Sequence, residues 1–153
     1  MSDHLAETAL LVRSPVHEVF DAFVQPDVLE RFWLRHASGP LVAGTTVEWE
    51  FMAAGARETV TVTELTRPTS IAFSWSDGID VELRFVVFDD TSTRVAVTAR
   101  GFEAVAQAVA ATAGFTIVLC DLKTLLESGR SANLVRDKAV LITADANATA
   151  ADS

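Results

Sequence analysis

Any chemistry in this chain has to come from a short inventory of reactive side chains. The one cysteine, Cys120, has no second thiol to pair with, and the three histidines, His4, His17 and His36, all fall in the first quarter without the spacing of a zinc site. Lysine occurs only at Lys123 and Lys138 and tyrosine not at all, so Schiff-base and phenolic-acid chemistry have little to draw on. Gly39, Gly44, Gly55, Gly78, Gly101, Gly114 and Gly129 are spaced as punctuation between elements and form no phosphate-cradling loop. Cys120 sits about 100° from Leu119 on a helix, off its apolar face, which suits a packing residue better than a nucleophile. No acid–base pair, metal site or cofactor is expected from this set.

Large rings are the more informative residues. Trp33, Trp49, Phe51, Phe73, Trp75, Phe85 and Phe115 are directed by strand alternation and helical phase toward one common space. Such rings either fill a core outright or line an apolar cavity. With Leu83, Leu119 and Leu122 they are the candidate ligand-binding residues, and a cavity they lined would hold a small hydrophobic molecule, with a volume on the order of 300 Å³ or more.

The elements that must position these rings follow from periodicity. Residues 5–13 read as a strand that ends at Ser14-Pro15, a helix-start pair. Val16, Val19, Phe20, Phe23 and Val24 recur at helical spacing, and after Pro26-Asp27 a second short helix carries Val28, Leu29, Phe32 and Trp33 until Gly39-Pro40, with His17 on a helix surface and His36 in a loop. Between Thr45 and Gly101 the period changes to two, and five strands joined by short turns form an antiparallel meander. On these strands Val81, Leu83, Phe85 and Val87 face inward, while Glu48, Glu50, Glu82 and Arg84 belong to a solvated face. Beyond Gly101 the helical period returns: Phe115, Val118, Leu119, Leu122 and Leu126 share one face of a long helix ending near Gly129, with a kink or boundary near Gly114.

The segment NLVRDKAVLI admits a short helix or a strand, and the small, polar ADANATAADS reads as a disordered tail. The domain expectation is one domain over 1–143, with 144–153 outside it. Ile117, Cys120 and Thr124 make a stripe on the back of the long helix that is too apolar to stand open. Its cover is expected from Leu134, Val135, Val140, Leu141 and Ile142, folded back or crossing to a partner in a homodimer.

At 153 residues the chain is long enough for one substantial core. Twelve basic residues, scattered among twenty-one acidic ones, give a net charge of -9, which argues against nucleic acid and anionic membranes as partners. No uninterrupted apolar run approaches the roughly 20 residues of a membrane span, and MSDHLAETA lacks a signal-peptide pattern, so a cytoplasmic location is expected.

One strand, two short helices, five antiparallel strands and a long C-terminal helix compose an α+β chain. The order resembles the helix-grip fold of START lipid-transfer domains and the birch-pollen allergen superfamily, a curled antiparallel sheet around the C-terminal helix. More narrowly, SPVHEVFDAFVQPDVLERFW, VTELTRPTSIAFSW, the TRVAVTARGF run and FTIVLCDLKTLLESG resemble the SRPBCC family related to activators of the heat-shock protein 90 ATPase. The chain departs from that pattern at Phe32-Trp33-Leu34, where relatives often carry paired tryptophans and a proline, and at Ala99-Arg100, where relatives often carry a histidine.

Three functions stand on this reading. The first is non-catalytic binding of a small hydrophobic ligand between sheet and helix. The second is a protein-interaction module or co-chaperone-like regulator acting through an acidic surface. The third is an enzyme of the cyclase or hydrolase kind that the fold also hosts.

Overall fold

A computed structural model describes residues 4–152, with side chains described for 4–148. Seven strands form one antiparallel sheet: β1 (His4–Val12), β2 (Leu34–Ala37), β3 (Thr46–Phe51), β4 (Arg57–Thr66), β5 (Ser70–Trp75), β6 (Asp80–Asp89) and β7 (Ser92–Phe102). Their spatial order is β1-β7-β6-β5-β4-β3-β2, so β1 crosses the molecule to pair with the last strand while the remainder is a meander. The sheet curls as a half-barrel around α3 (Val105–Ser128), the grip that the sequence order implies. Two short helices, α1 (Val16–Val24) and α2 (Pro26–Phe32), sit between β1 and β2, and α4 (Leu134–Asp152) follows α3.

Local sequence explains these elements. Val19, Phe20, Ala22, Phe23 and Val24 bury one face of α1 while Glu18 stands in its first turn, favourable to the helix dipole. Pro26 opens α2, where its missing N–H costs nothing. Trp33 ends that helix rather than extending it, and the chain turns directly into β2. This strand went unread in the sequence, and His36, expected in a loop, is one of its residues. Two residues of pairing register beyond a bulge leave a four-residue strand little periodicity to display.

Val87 also departs from strand alternation. It is 59% exposed, because the β6–β7 pairing shifts between Val87 and Asp89 and the strand end leaves the core. On α3 the buried face includes Phe115, Val118, Leu119, Leu122 and Leu125, whereas Leu126 is half-buried. The long helix ends at Gly129, whose φ of 80° provides the left-handed cap that glycine adopts without steric cost. Gly114 does not divide α3, which runs through it without a break.

By length and composition α3 is apolar enough to cross a membrane, which the expectation from uninterrupted runs missed because Gln107, Asp121 and Lys123 interrupt it. Here it is the core helix, fastened to β1 by polar contacts along its length. Thr8 and Thr116 share a hydroxyl hydrogen bond of 2.7 Å, Lys123 Nζ donates to Leu11 O at 2.8 Å, and Arg13 N donates to Glu127 Oε2 at 2.8 Å. Burial opposes ionisation of Glu127, but the Lys123 ammonium and the Arg13 N–H outweigh it and hold the carboxyl below its ordinary value.

The stretch over 144–152 belongs to α4 instead of forming a disordered tail. Small residues without hydrophobic periodicity are nevertheless tolerated in a helix, since alanine has the best intrinsic propensity. Ser153 lies outside the described residues.

Candidate functional site

Where the sheet opens at the ends of β3 and β5, it leaves a cavity of about 280 Å³ against α3 and α4. Four of the ten candidate ligand-binding residues line it: Trp33, Phe51, Trp75 and Phe115. Their rings form a continuous cluster. Trp75 stacks on Phe115 with centroids 5.9 Å apart and planes 9° from parallel, Trp33 meets Phe115 edge-on at 6.2 Å, and Phe51 meets Trp75 edge-on at 5.6 Å. Offset and edge-on geometry is the arrangement that ring quadrupoles favour.

The other six, Trp49, Phe73, Leu83, Phe85, Leu119 and Leu122, are fully buried and lie outside the cavity wall. They form the floor that fixes the lining rings. Trp49 contacts Trp33 at 5.0 Å and Phe73 at 5.1 Å, and Phe85 reaches Phe20 at 5.3 Å on the far side of the core. Alternation correctly directs all these side chains inward, but it does not tell how far along the strand the core stays closed. Phe51 and Trp75 end their strands, whereas Trp49 and Phe73 stand two residues further in.

Several lining residues escaped the sequence reading. Ile79 and Asp77 reach the rim through a tight turn in which Gly78 N donates to Trp75 O at 3.0 Å and Trp75 N to Ile79 O at 2.8 Å. Against this turn sits Gly101, at φ 105°, where an added Cβ would stand 2.8 Å from Gly78 O, so only glycine permits the approach. Gly114 lines the cavity, and a Cβ built there meets nothing within 4 Å. Its absent side chain leaves room in the cavity.

The opposite wall is α4, through Val135, Lys138, Ala139 and Ile142. Of the late apolar cluster, Val135 and Ile142 face Ile117 of α3 across the cavity while Val140 and Leu141 stay exposed, and Ile117 and Cys120 on the back of α3 are half-buried. The junction is held by Asp121, which is 1% exposed. Its carboxylate accepts from Ser131 Oγ at 2.5 Å and from Val135 N at 3.2 Å, capping the start of α4 from the middle of α3. Asn133, at φ 59°, turns the chain between the two helices.

Among the described residues, Asp77 on the rim and Lys138 on α4 are the charged groups lining the cavity, and both are solvent-exposed. The indole Nε1 donors of Trp49 and Trp75 are buried with no hydrogen-bond partner among the described residues. The cavity surface is therefore almost wholly hydrocarbon and aromatic, suited to dispersion and desolvation rather than to proton transfer.

Comparison with known proteins now places this architecture. Residues 13–127 match the model of the family described as activator of Hsp90 ATPase homolog 1-like protein. The chain belongs to that family. Its solved structural relatives include protein SSP2350 from Staphylococcus saprophyticus, 25% identical, covering 84% of this chain and 95% of its own length at a TM-score of 0.75. The Aha1 dimer from Colwellia psychrerythraea is 18% identical over 84% of this chain and 99% of its own, also at 0.75. CalU16 from Micromonospora echinospora is 16% identical over 94% of this chain and 96% of its own, at 0.67. No curated protein matches the chain. The activator-like match confirms the helix-grip reading and ends before α4, so the wall that α4 contributes lies outside the family match.

Proposed function

We propose that this protein binds a small hydrophobic molecule, without chemically transforming it, in the cavity between the curled sheet, α3 and α4. Family membership supports a binding or regulatory role, and fold alone does not choose between them. The observation that carries the ligand reading is the joined ring cluster of Trp33, Phe51, Trp75 and Phe115 along one wall of an apolar space. At about 280 Å³ the space is near the lower end of small-molecule sites, which begin at about 300 Å³. That size favours a compact ligand over a long lipid.

Titration with an apolar dye tests this directly, because Trp33 and Trp75 stand in the wall and report on occupancy. Saturable quenching of tryptophan emission is expected, and Gly114→Leu should abolish it by filling the space. The helix tolerates that change, since an interior glycine costs about 1 kcal/mol relative to alanine and leucine has good helix propensity. Emission that does not respond in the parent protein, or binding that survives in a folded Gly114→Leu variant, would remove the ligand reading.

Self-association is a second, compatible reading. The Colwellia relative is described as a dimer. In this chain, α4 leaves Val140 61% and Leu141 59% exposed, an apolar pair that a second copy would cover.

A further inference from the structure

Beside the apolar cavity lies a second cleft of about 620 Å³, and Met52 and Ala139 line both. The two spaces adjoin at these residues but differ in chemistry. The second runs between α2, β2 and α4, and it brings Arg35 of β2 to the same cleft as Arg136 of α4. The Arg136 side chain has no hydrogen bond or ion pair among the described residues. Arg35 Nη2 donates to Met52 O at 3.2 Å, and its Nε stands 3.7 Å from Glu50. Glu50 is itself shared with Arg57 at 3.4 Å, so one carboxylate stands between two guanidinium groups.

Glu30, the acidic residue on this cleft, is already engaged. It accepts from Ala37 N at 3.0 Å and lies 3.2 Å from His36 Nδ1. Arg35 and Arg136 against Glu30 leave the cleft lining with one positive charge in excess, in a protein whose net charge is -9. Two arginines on facing elements are the arrangement that binds a carboxylate through charge-assisted, often bidentate hydrogen bonds.

We infer that the ligand is an amphipathic carboxylate, its apolar body against Trp33, Trp75 and Phe115 and its charged end in the adjoining cleft between Arg35 and Arg136. This inference rests on the ligand-binding reading above and adds to it the class of molecule and the residues that select it. Arg136 stands on α4, beyond the family match at residues 13–127, so the charge reader is supplied by the part of the chain that the family model does not describe. The acidic surface repels free anions at long range, and selectivity must then come from these short contacts.

Calorimetric titration of the full chain with decanoate and with decanol separates body from head. Decanoate is expected to bind roughly tenfold more tightly, the increment of one charge-assisted hydrogen bond. Arg136→Gln and Arg35→Gln should each reduce that advantage, and together erase it, while decanol affinity stays unchanged. Equal affinity of the parent protein for both compounds, or a decanoate preference untouched by the double change, overturns the inference and leaves cavity binding standing. So does a preference lost only in Lys138→Gln, since Lys138 lies on the apolar cavity. Absence of binding by either compound overturns the ligand reading together with this one.

Discussion

Phe115 and Leu122 share one face of α3 and are both buried, yet they bear on different functions. Leu122 is fully enclosed in the core floor, whereas Phe115 has the cavity on one side. Truncating a packed leucine costs its transfer free energy plus the cavity it leaves, so Leu122→Ala is expected to destabilise by about 2 to 5 kcal/mol. Phe115→Ala adds to an existing space and loses fewer contacts, and its cost should fall nearer the bottom of the usual range of about 3 to 5 kcal/mol for a phenylalanine. Denaturant melts measure both, and a Phe115→Ala loss at the top of its range, about 5 kcal/mol, would contradict the placement of the cavity. The same contrast shows what a residue pattern encodes. Helical phase and strand parity direct Trp33, Trp49, Phe73 and Phe115 inward, but whether a neighbour completes the packing depends on residues brought from elsewhere, here Ile79 and the α4 face. Local periodicity carries no record of that closure.

At the scale of elements, the meander from β3 to β7 and the long helix were legible because alternation and a 3.6-residue period persist over many residues. The α4 helix was legible only as one of two options for its first half, since Val135, Ala139 and Ile142 make too short a stripe to decide between helix and strand, its later residues are small or polar, and its first turn depends on a residue in a different helix. Asp121 was overlooked for a related reason: aspartate is ordinarily a surface residue, and its burial becomes sensible only beside Ser131 and the N–H of Val135. Replacing it by alanine leaves those donors without their acceptor. Asp121→Ala is therefore expected to destabilise by about 1 to 3 kcal/mol and to release α4 from α3. Limited proteolysis should then cut first near residues 129–133, the connection between the two helices. An unchanged digestion pattern would mean that α4 is held by its apolar contacts alone. Because α4 supplies walls to both clefts, its release should weaken ligand affinity without touching a ring of the cavity.

For the whole molecule, the long helix illustrates how composition and context can point in opposite directions. The α3 helix is apolar enough for a membrane span by length and composition, yet Phe115, Leu119 and Leu122 bind it to the curled sheet, and Asp121 and Lys123 spend their polarity inside the protein. What the fold leaves uncovered is therefore the better guide to association. Val140 and Leu141 on α4 and Val105 and Val109 on the early turns of α3 remain more than half exposed, whereas Ile117 and Cys120 are half-buried. Packing within one chain thus half-buries the apolar back of α3 and leaves the outer surface of α4 open. A second copy placed there would bury that pair, whereas a net charge of -9 opposes close approach of two identical chains at low salt. Light scattering of the full chain is expected to show a dimer favoured by added salt, because screening removes the repulsion while apolar burial persists. A chain truncated after Arg130 should be monomeric under the same conditions, provided its circular dichroism retains the sheet. A dimer that survives truncation would move the interface away from α4, and a monomer at every salt concentration would leave the outer face of α4 simply exposed.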